Sequence, residues 1–186
     1  MKKIILGLAF VASTSVFASV KGGKIGVDFS FAGSTGVTAG TTTVPTIGAW
    51  WHVIDMVAIR AGVGYQSVNT TNSSTTSDKT DSGFVFSIGV PIYLAKMNAL
   101  DLYVSPAFSY ASLSTKTTTT TPATSTSGTS SGLGISLSLG LQVALNDQLH
   151  FFGEAGFGYS TYTNDPSKTT TIGTARGAVG AIFYFN

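Results

Sequence analysis

Between Ile25 and Phe185 large apolar residues alternate with small or polar ones in eight short runs. From Lys24 to Phe31, the residues Ile25, Val27, Phe29 and Phe31 fall on one face, and Lys24, Gly26, Asp28 and Ser30 on the other. A period of two predicts strands. Turn residues bound them at approximately 23–33, 44–53, 57–67, 83–95, 101–112, 132–145, 149–161 and 172–185. One phase carries sets such as Ile47/Ala49/Trp51/Val53 and Leu133/Ile135/Leu137/Leu139/Leu141/Val143, while the opposite phase is mostly Gly, Ser and Ala. Small inward residues suit a narrow eight-stranded barrel, whose interior has little room.

Charge sharpens this picture. No charged residue falls on the apolar phase of any run, and Arg60, Glu154 and Arg176 all take the small-residue phase. A face that tolerates no charge is read as facing lipid. Charged residues make up 10% of the chain, against about 25% in an ordinary soluble domain. No segment beyond the N-terminus offers a continuous apolar stretch long enough for a helical span. A closed barrel is then the remaining way to satisfy backbone groups in lipid. The expected fold is all-β, an eight-stranded antiparallel up-and-down transmembrane barrel.

The N-terminus reads as an export signal. Lys2 and Lys3 precede an apolar stretch, Ile4 to Val11, and Val16-Phe17-Ala18 has the small-residue pattern of a cleavage site. Residues 1–18 are expected to be removed, leaving a barrel domain over 19–186. Without Lys2 and Lys3 the 10 basic residues become 8, equal to the 8 acidic ones, so the formal charge of +2 belongs to the precursor. Nothing in that balance favours nucleic acid. Cysteine is absent, so disulfides cannot staple the exported chain.

Connections near 54–56, 96–100 and 146–148 are short, whereas those near 34–43, 68–82, 113–131 and 162–171 are longer and rich in Thr, Ser, Gly and Asn. That asymmetry matches periplasmic turns opposite extracellular loops, and an even strand number puts both termini on the periplasmic side. The tract Thr115 to Pro122 is expected to be a solvated surface loop. Aromatic residues fall near both rims: Phe31, Tyr65, Phe84, Tyr110 and Tyr159 at one, Trp51, Phe151, Phe183 and Phe185 at the other.

With these features the whole mature chain resembles the small eight-stranded outer-membrane barrels, the group that includes the OmpA transmembrane domain and OmpX. Its last strand, Gly177 to Phe185, looks like the assembly signal of such proteins, with Asn186 one step beyond the terminal aromatic residue. The resemblance implies the outer membrane of a Gram-negative-type bacterium, contact with outer-membrane lipid, and recognition of the C-terminal strand by the barrel insertion machinery. It also implies an interior ionic network. The candidates are Lys24, Asp28, Arg60, Glu154 and Arg176, with Glu154 expected to bond Arg176 or Arg60.

Catalytic chemistry has little support in the sequence. His52 and His150 both take the inward phase but sit several strands apart around the wall, and no catalytic set or cofactor site is visible. Pro91 and Pro106 fall close together on adjacent strands, and each removes a ladder donor, so a lateral opening toward lipid is a further possibility. Three functions follow. The leading one is a non-enzymatic barrel with a largely plugged lumen, whose Ser/Thr-rich loops serve surface interaction or envelope integrity, with an extracellular partner for the loops. The alternatives are a narrow passive pore for small solutes and a lipid-modifying barrel enzyme opening near Pro91 and Pro106. The inward Trp50, Tyr93, Tyr103 and Phe152 argue for an obstructed bore.

Overall fold

The computed structural model describes residues 20–31, 44–72, 77–97, 99–120, 123–164 and 167–185. Residues 1–19, 32–43, 73–76, 98, 121–122, 165–166 and 186, which include the expected export signal and the connection at 34–43, lie outside the described residues. The strand segments are β1 (Ile25–Phe31), β2 (Thr46–Ile54), β3 (Val57–Asn72), β4 (Ser77–Gly89), β5 (Ile92–Met97), β6 (Leu100–Thr120), β7 (Ala123–Ala144), β8 (Leu149–Asn164) and β9 (Ser167–Phe185). All pairings are antiparallel. β4 and β5 share one position in the wall between β3 and β6, and β1 pairs with both β2 and β9, so the nine segments form a closed eight-position ring. Closure leaves no edge in the barrel wall and gives each wall strand a partner on both sides.

The alternation places the core inside and the large aliphatics outside. On β7 the side chains of Leu133, Ile135, Leu137, Leu139 and Leu141 are exposed, with Val143 next in the same phase. Ten residue steps along a strand tilted about 40° give an apolar band roughly 25 Å tall, the height of a bilayer's hydrocarbon region. Aromatic residues mark its two ends. Tyr65 stands opposite Phe84 at the long-hairpin end. At the short-turn end Ile25 is flanked by Trp51 and Phe185.

Three of the expected loops are largely strands, and in the third, 162–171, the β8–β9 ladder runs to Asn164↔Ser167. The β3–β4 ladder continues to Asn72↔Ser77 and the β6–β7 ladder to Thr120↔Ala123, so much of 68–82 and 113–131 stands as paired hairpins. β4 and β6 remain paired as far as Ser77↔Thr119, which joins the two hairpins into a raised four-stranded sheet. Composition alone points to a solvated loop there. Threonine is β-branched, however, and threonines facing one another across strands hold a ladder without any core. β8 meets β7 only from Ser131↔Thr163, so Ala123 to Ser130 form an edge of the raised sheet.

Irregularities correct the simple phase in two places. Between Tyr93 and Ala95 the β5–β6 register shifts by one residue at Leu94. An unbroken alternation would aim Lys96 outward with Leu94. The extra residue instead sets Lys96 opposite Asp101, whose side chain is buried. Between Gly156 and Phe157 the β8–β9 register passes from Gly156↔Arg176 to Phe157↔Thr174, leaving Ala175 as an extra residue. The outward phase of β9 is thereby moved to Ile172, which is 81% exposed.

Amides of Leu113–Thr119, with partner strands on both sides, are expected to exchange slowly with solvent deuterium. Alternate amides of Ala123–Ser130 should exchange freely. Uniformly fast exchange across both stretches would restore the loop reading. On the raised sheet Asp81 accepts bonds from Lys79 Nζ (2.8 Å) and Thr115 Oγ1 (2.8 Å), and these hold its carboxyl below the ordinary carboxylate range. The contribution of Asp81 is full above the ordinary carboxylate pKa and is lost as pH falls through the lowered one. The protection factor of the neighbouring Thr115 amide, its exchange relative to the intrinsic rate at each pH, should therefore hold into mild acid and fall only below it.

Candidate functional site in the barrel lumen

Aromatic and polar side chains fill the short-turn half of the bore. Trp50, Tyr93, Tyr103, Phe152, Ile182 and Tyr184 are all buried and form one cluster with Val20, from the segment preceding β1. Trp50 meets Tyr103 edge-on at 6.0 Å and Phe152 at 5.5 Å between ring centroids. These rings fit because small residues face them. A Cβ at Gly140 would overlap the Tyr103 ring, so only glycine lets that ring lie against β7.

Several buried polar side chains of the floor bond one another. The Gln142 amide donates to His150 Nδ1 (2.8 Å) and to the Tyr184 hydroxyl (3.3 Å), and its carbonyl accepts from the Tyr93 hydroxyl (2.9 Å). Tyr184 in turn lies 3.0 Å from His52 Nε2. The two imidazoles that the sequence separates around the wall therefore belong to one network, with the Tyr184 ring between them at 5.5 and 4.9 Å. Lys96 closes the edge of the floor, donating to the Val20 carbonyl (2.5 Å) with its ammonium 4.8 Å from the Tyr93 ring centroid.

On top of this floor lies a compact charge cluster. Arg60 donates through Nε to Asp28 Oδ2 (2.8 Å), contacts the same oxygen through Nη2 (2.5 Å), and reaches Glu154 Oε1 through Nη1 (3.3 Å). The Tyr103 hydroxyl donates to that Glu154 oxygen (2.8 Å). The edges of the guanidinium thus serve two carboxylates. Both rings border it on one side, with Cζ 4.9 Å from the Trp50 centroid and 4.6 Å from that of Phe152, and the two centroids 5.5 Å apart. A planar, delocalised cation is suited to this double use in a way that an ammonium is not. Register explains the assembly: Asp28 pairs with Gly48, Arg60 with Trp50, and Glu154 with Gly140, three inward positions at similar depth.

Beyond the cluster is a chamber of about 20 Å3, lined by Arg60, Glu154, Ser87, Ser105, Ser136 and Ser138 among others. That is room for about one water molecule. Above it Val85 and Ala111 are buried, with Val44 and Tyr162 packed against them. The lumen accordingly runs from an aromatic floor through a charge cluster and a small polar chamber to an apolar cap.

Of the five residues assigned to the lumen network, the structure brings Asp28, Arg60 and Glu154 together. Lys24 stands elsewhere, as its position two residues short of Gly26 at the strand's start dictates. Its Nζ points to the Asp147 carbonyl (3.4 Å) in an exposed turn. Arg176 pairs with Gly156 in β9, but its side chain lies outside the described residues. At Pro91 and Pro106 the register is the same on either side, Gly89↔Ala107 and then Ile92↔Val104. Val90 N donates to Pro106 O and Ala58 N to Pro91 O, both at 2.9 Å, so each affected pair retains one of its two bonds. Gln142, Tyr184, Asp101 and Lys96 were not singled out from the sequence. The first three carry a usable signal, a polar or amphipathic residue on the inward phase of an otherwise clean alternation. Lys96 carries none, because a bulge reverses its phase.

A sequence-family profile described as an outer membrane protein beta-barrel domain matches residues 4–183. No curated protein sequence matches the chain. In fold the chain is similar to a major outer membrane protein from Thermus thermophilus, with TM-score 0.57 and 12% identity over 87% of this chain and 98% of that one. Looser similarities include the N-terminal barrel domain of Pseudomonas aeruginosa OprF, with TM-score 0.48 and 11% identity over 89% of this chain and 100% of that one. Ail, the attachment invasion locus protein of Yersinia pestis, gives TM-score 0.44 and 14% identity over 87% of this chain and 95% of that one. At these identities the likeness is one of fold.

Glu154→Ala leaves both the Tyr103 hydroxyl and Arg60 Nη1 without their buried acceptor, and is expected to lower stability by about 2–4 kcal/mol. Tyr103→Phe removes one bond to a charged acceptor and should cost about 1–2 kcal/mol. Urea unfolding of the refolded barrel measures both, and unchanged midpoints would contradict the cluster.

Proposed function

Because the chain belongs to the outer membrane protein beta-barrel domain family, we propose that it is a non-conducting scaffold whose plugged lumen supports a raised Ser/Thr-rich sheet for surface interaction or envelope integrity. The observation that carries this reading is the seating of Arg60 against the Trp50 and Phe152 rings, with its edges bonded to two carboxylates. A side chain anchored by two carboxylates and packed against two rings blocks a bore this narrow. The chamber beside it, about 20 Å3, has room for about one water molecule.

The rest of the reading follows from architecture. Residues 1–18 direct export and are cleaved, the β9 strand is the segment that the insertion machinery recognises, and outer-membrane lipid surrounds the apolar band. The hairpins β3–β4 and β6–β7 rise on the outer side as a rigid platform for an extracellular partner, with Asp78 and Asp81 balanced by Lys79 and Lys116. Function carried on projections from a rigid barrel fits the usual division of labour between scaffold and loops.

Planar-bilayer recording tests this directly. Mature protein that shifts on a gel between unboiled and boiled samples should insert without stable conductance steps. A variant with a thinned floor, Tyr103→Ala with Phe152→Ala, should gain them. Steps from the unaltered barrel would assign it to the passive pores instead.

A further inference from the structure

The lipid-facing wall is not uniform. Along β7 two hollows of about 530 and 350 Å3 lie end to end and share Ile135 and Tyr159. Together they form a trough that runs down the wall from Ser131 to Leu137, roughly 20 Å at about 3.3 Å per residue. Its floor is Leu133, Ile135 and Leu137. One bank is Phe108 and Tyr110 of β6, and the other is Tyr159 and Phe157 of β8 with Ile172 of β9.

Two features make this more than chance roughness. The trough is polar at one end only. Ser131, Thr161 and Thr163 line its outer end, with Thr161 Oγ1 donating to the Tyr159 hydroxyl (3.3 Å), whereas large apolar side chains bank the deeper end. The second feature is the bulge at Ala175. Without the extra residue Ile172 would take the inward phase. With it, Ile172 pairs with Tyr159 and stands on the trough's bank. Bulges re-aim side chains, and this one builds a wall of the trough.

We propose that the trough holds one acyl chain of an outer-leaflet membrane lipid, with the ester or amide linkage of that chain at the Ser131, Thr161 and Thr163 hydroxyls. The trough continues the barrel's lipid-facing surface, so a lipid is the molecule that meets it. Its polarity changes in the order in which a lipid's does, from neutral linkage at the interface to hydrocarbon beneath. The lining carries no charge, so recognition falls on the chain and its linkage, not on a phosphate.

The test uses mature protein refolded into vesicles of a phospholipid and lipopolysaccharide mixture, extracted gently, and weighed intact by native mass spectrometry. Unaltered barrels should retain a single lipid. Thr161→Phe fills the outer end and Ile172→Ala lowers a bank, and each should reduce retention about tenfold, while Val179→Ala, an outward residue that lines neither hollow, should not. All of these side chains face outward, so heat-modifiable migration on gels should persist and confirm folding. Equal retention by all four proteins, retention of detergent alone, or a barrel dimer dissociated by Thr161→Phe would each overturn the assignment.

Discussion

A ring of eight hydrogen-bonded positions satisfies the backbone in lipid, and it leaves a bore that side chains must fill from within. That constraint governs everything inside this protein. The bore is filled by aromatic side chains at its short-turn end and is too polar in its middle to be packed as an ordinary core. Arg60 resolves the conflict. It brings charge into the centre, bonds Asp28 and Glu154 at its edges, and packs against Trp50 and Phe152 on one side. Burying a charge is tolerable only when it is paired and hydrogen-bonded in this way.

The floor and the cluster are mutually dependent. Tyr103 belongs to both, stacked in the aromatic floor and bonded to Glu154. Below it, Gln142 and Tyr184 join His52 and His150 in a network that needs each hydroxyl and amide where it is. The outer half of the lumen is different in kind, with serines around a chamber fit for about one water. The barrel is thus rigid where it faces the short turns. The raised sheet depends on that base, because β3, β4, β6 and β7 leave the wall without changing register.

Much of this architecture is legible in the chain. Strict alternation marks the wall strands, and the phase of Arg60 and Glu154 marks the interior, since a residue on the small-residue face of a barrel has nowhere else to go. What escapes has physical causes. The Thr-rich hairpins carry no hydrophobic pattern above the barrel, so periodicity cannot distinguish their ladder from a solvated loop. Lys96 and Ile172 each sit past a bulge, where one extra residue reverses the face. Lys24 takes the inward phase but lies before the first paired residue, where phase no longer dictates direction. The partnership of His52 and His150 is a property of ring closure, which no local pattern contains.

The most direct measurement compares the unfolding free energy of Arg60→Met with that of the same change combined with Asp28→Asn and Glu154→Gln. If Arg60 holds the lumen together as the charge between two buried carboxylates, the single change should cost about 3–5 kcal/mol, and neutralising its partners should recover most of that loss. A single variant as stable as the unaltered barrel, or a triple variant no better than the single one, would contradict it.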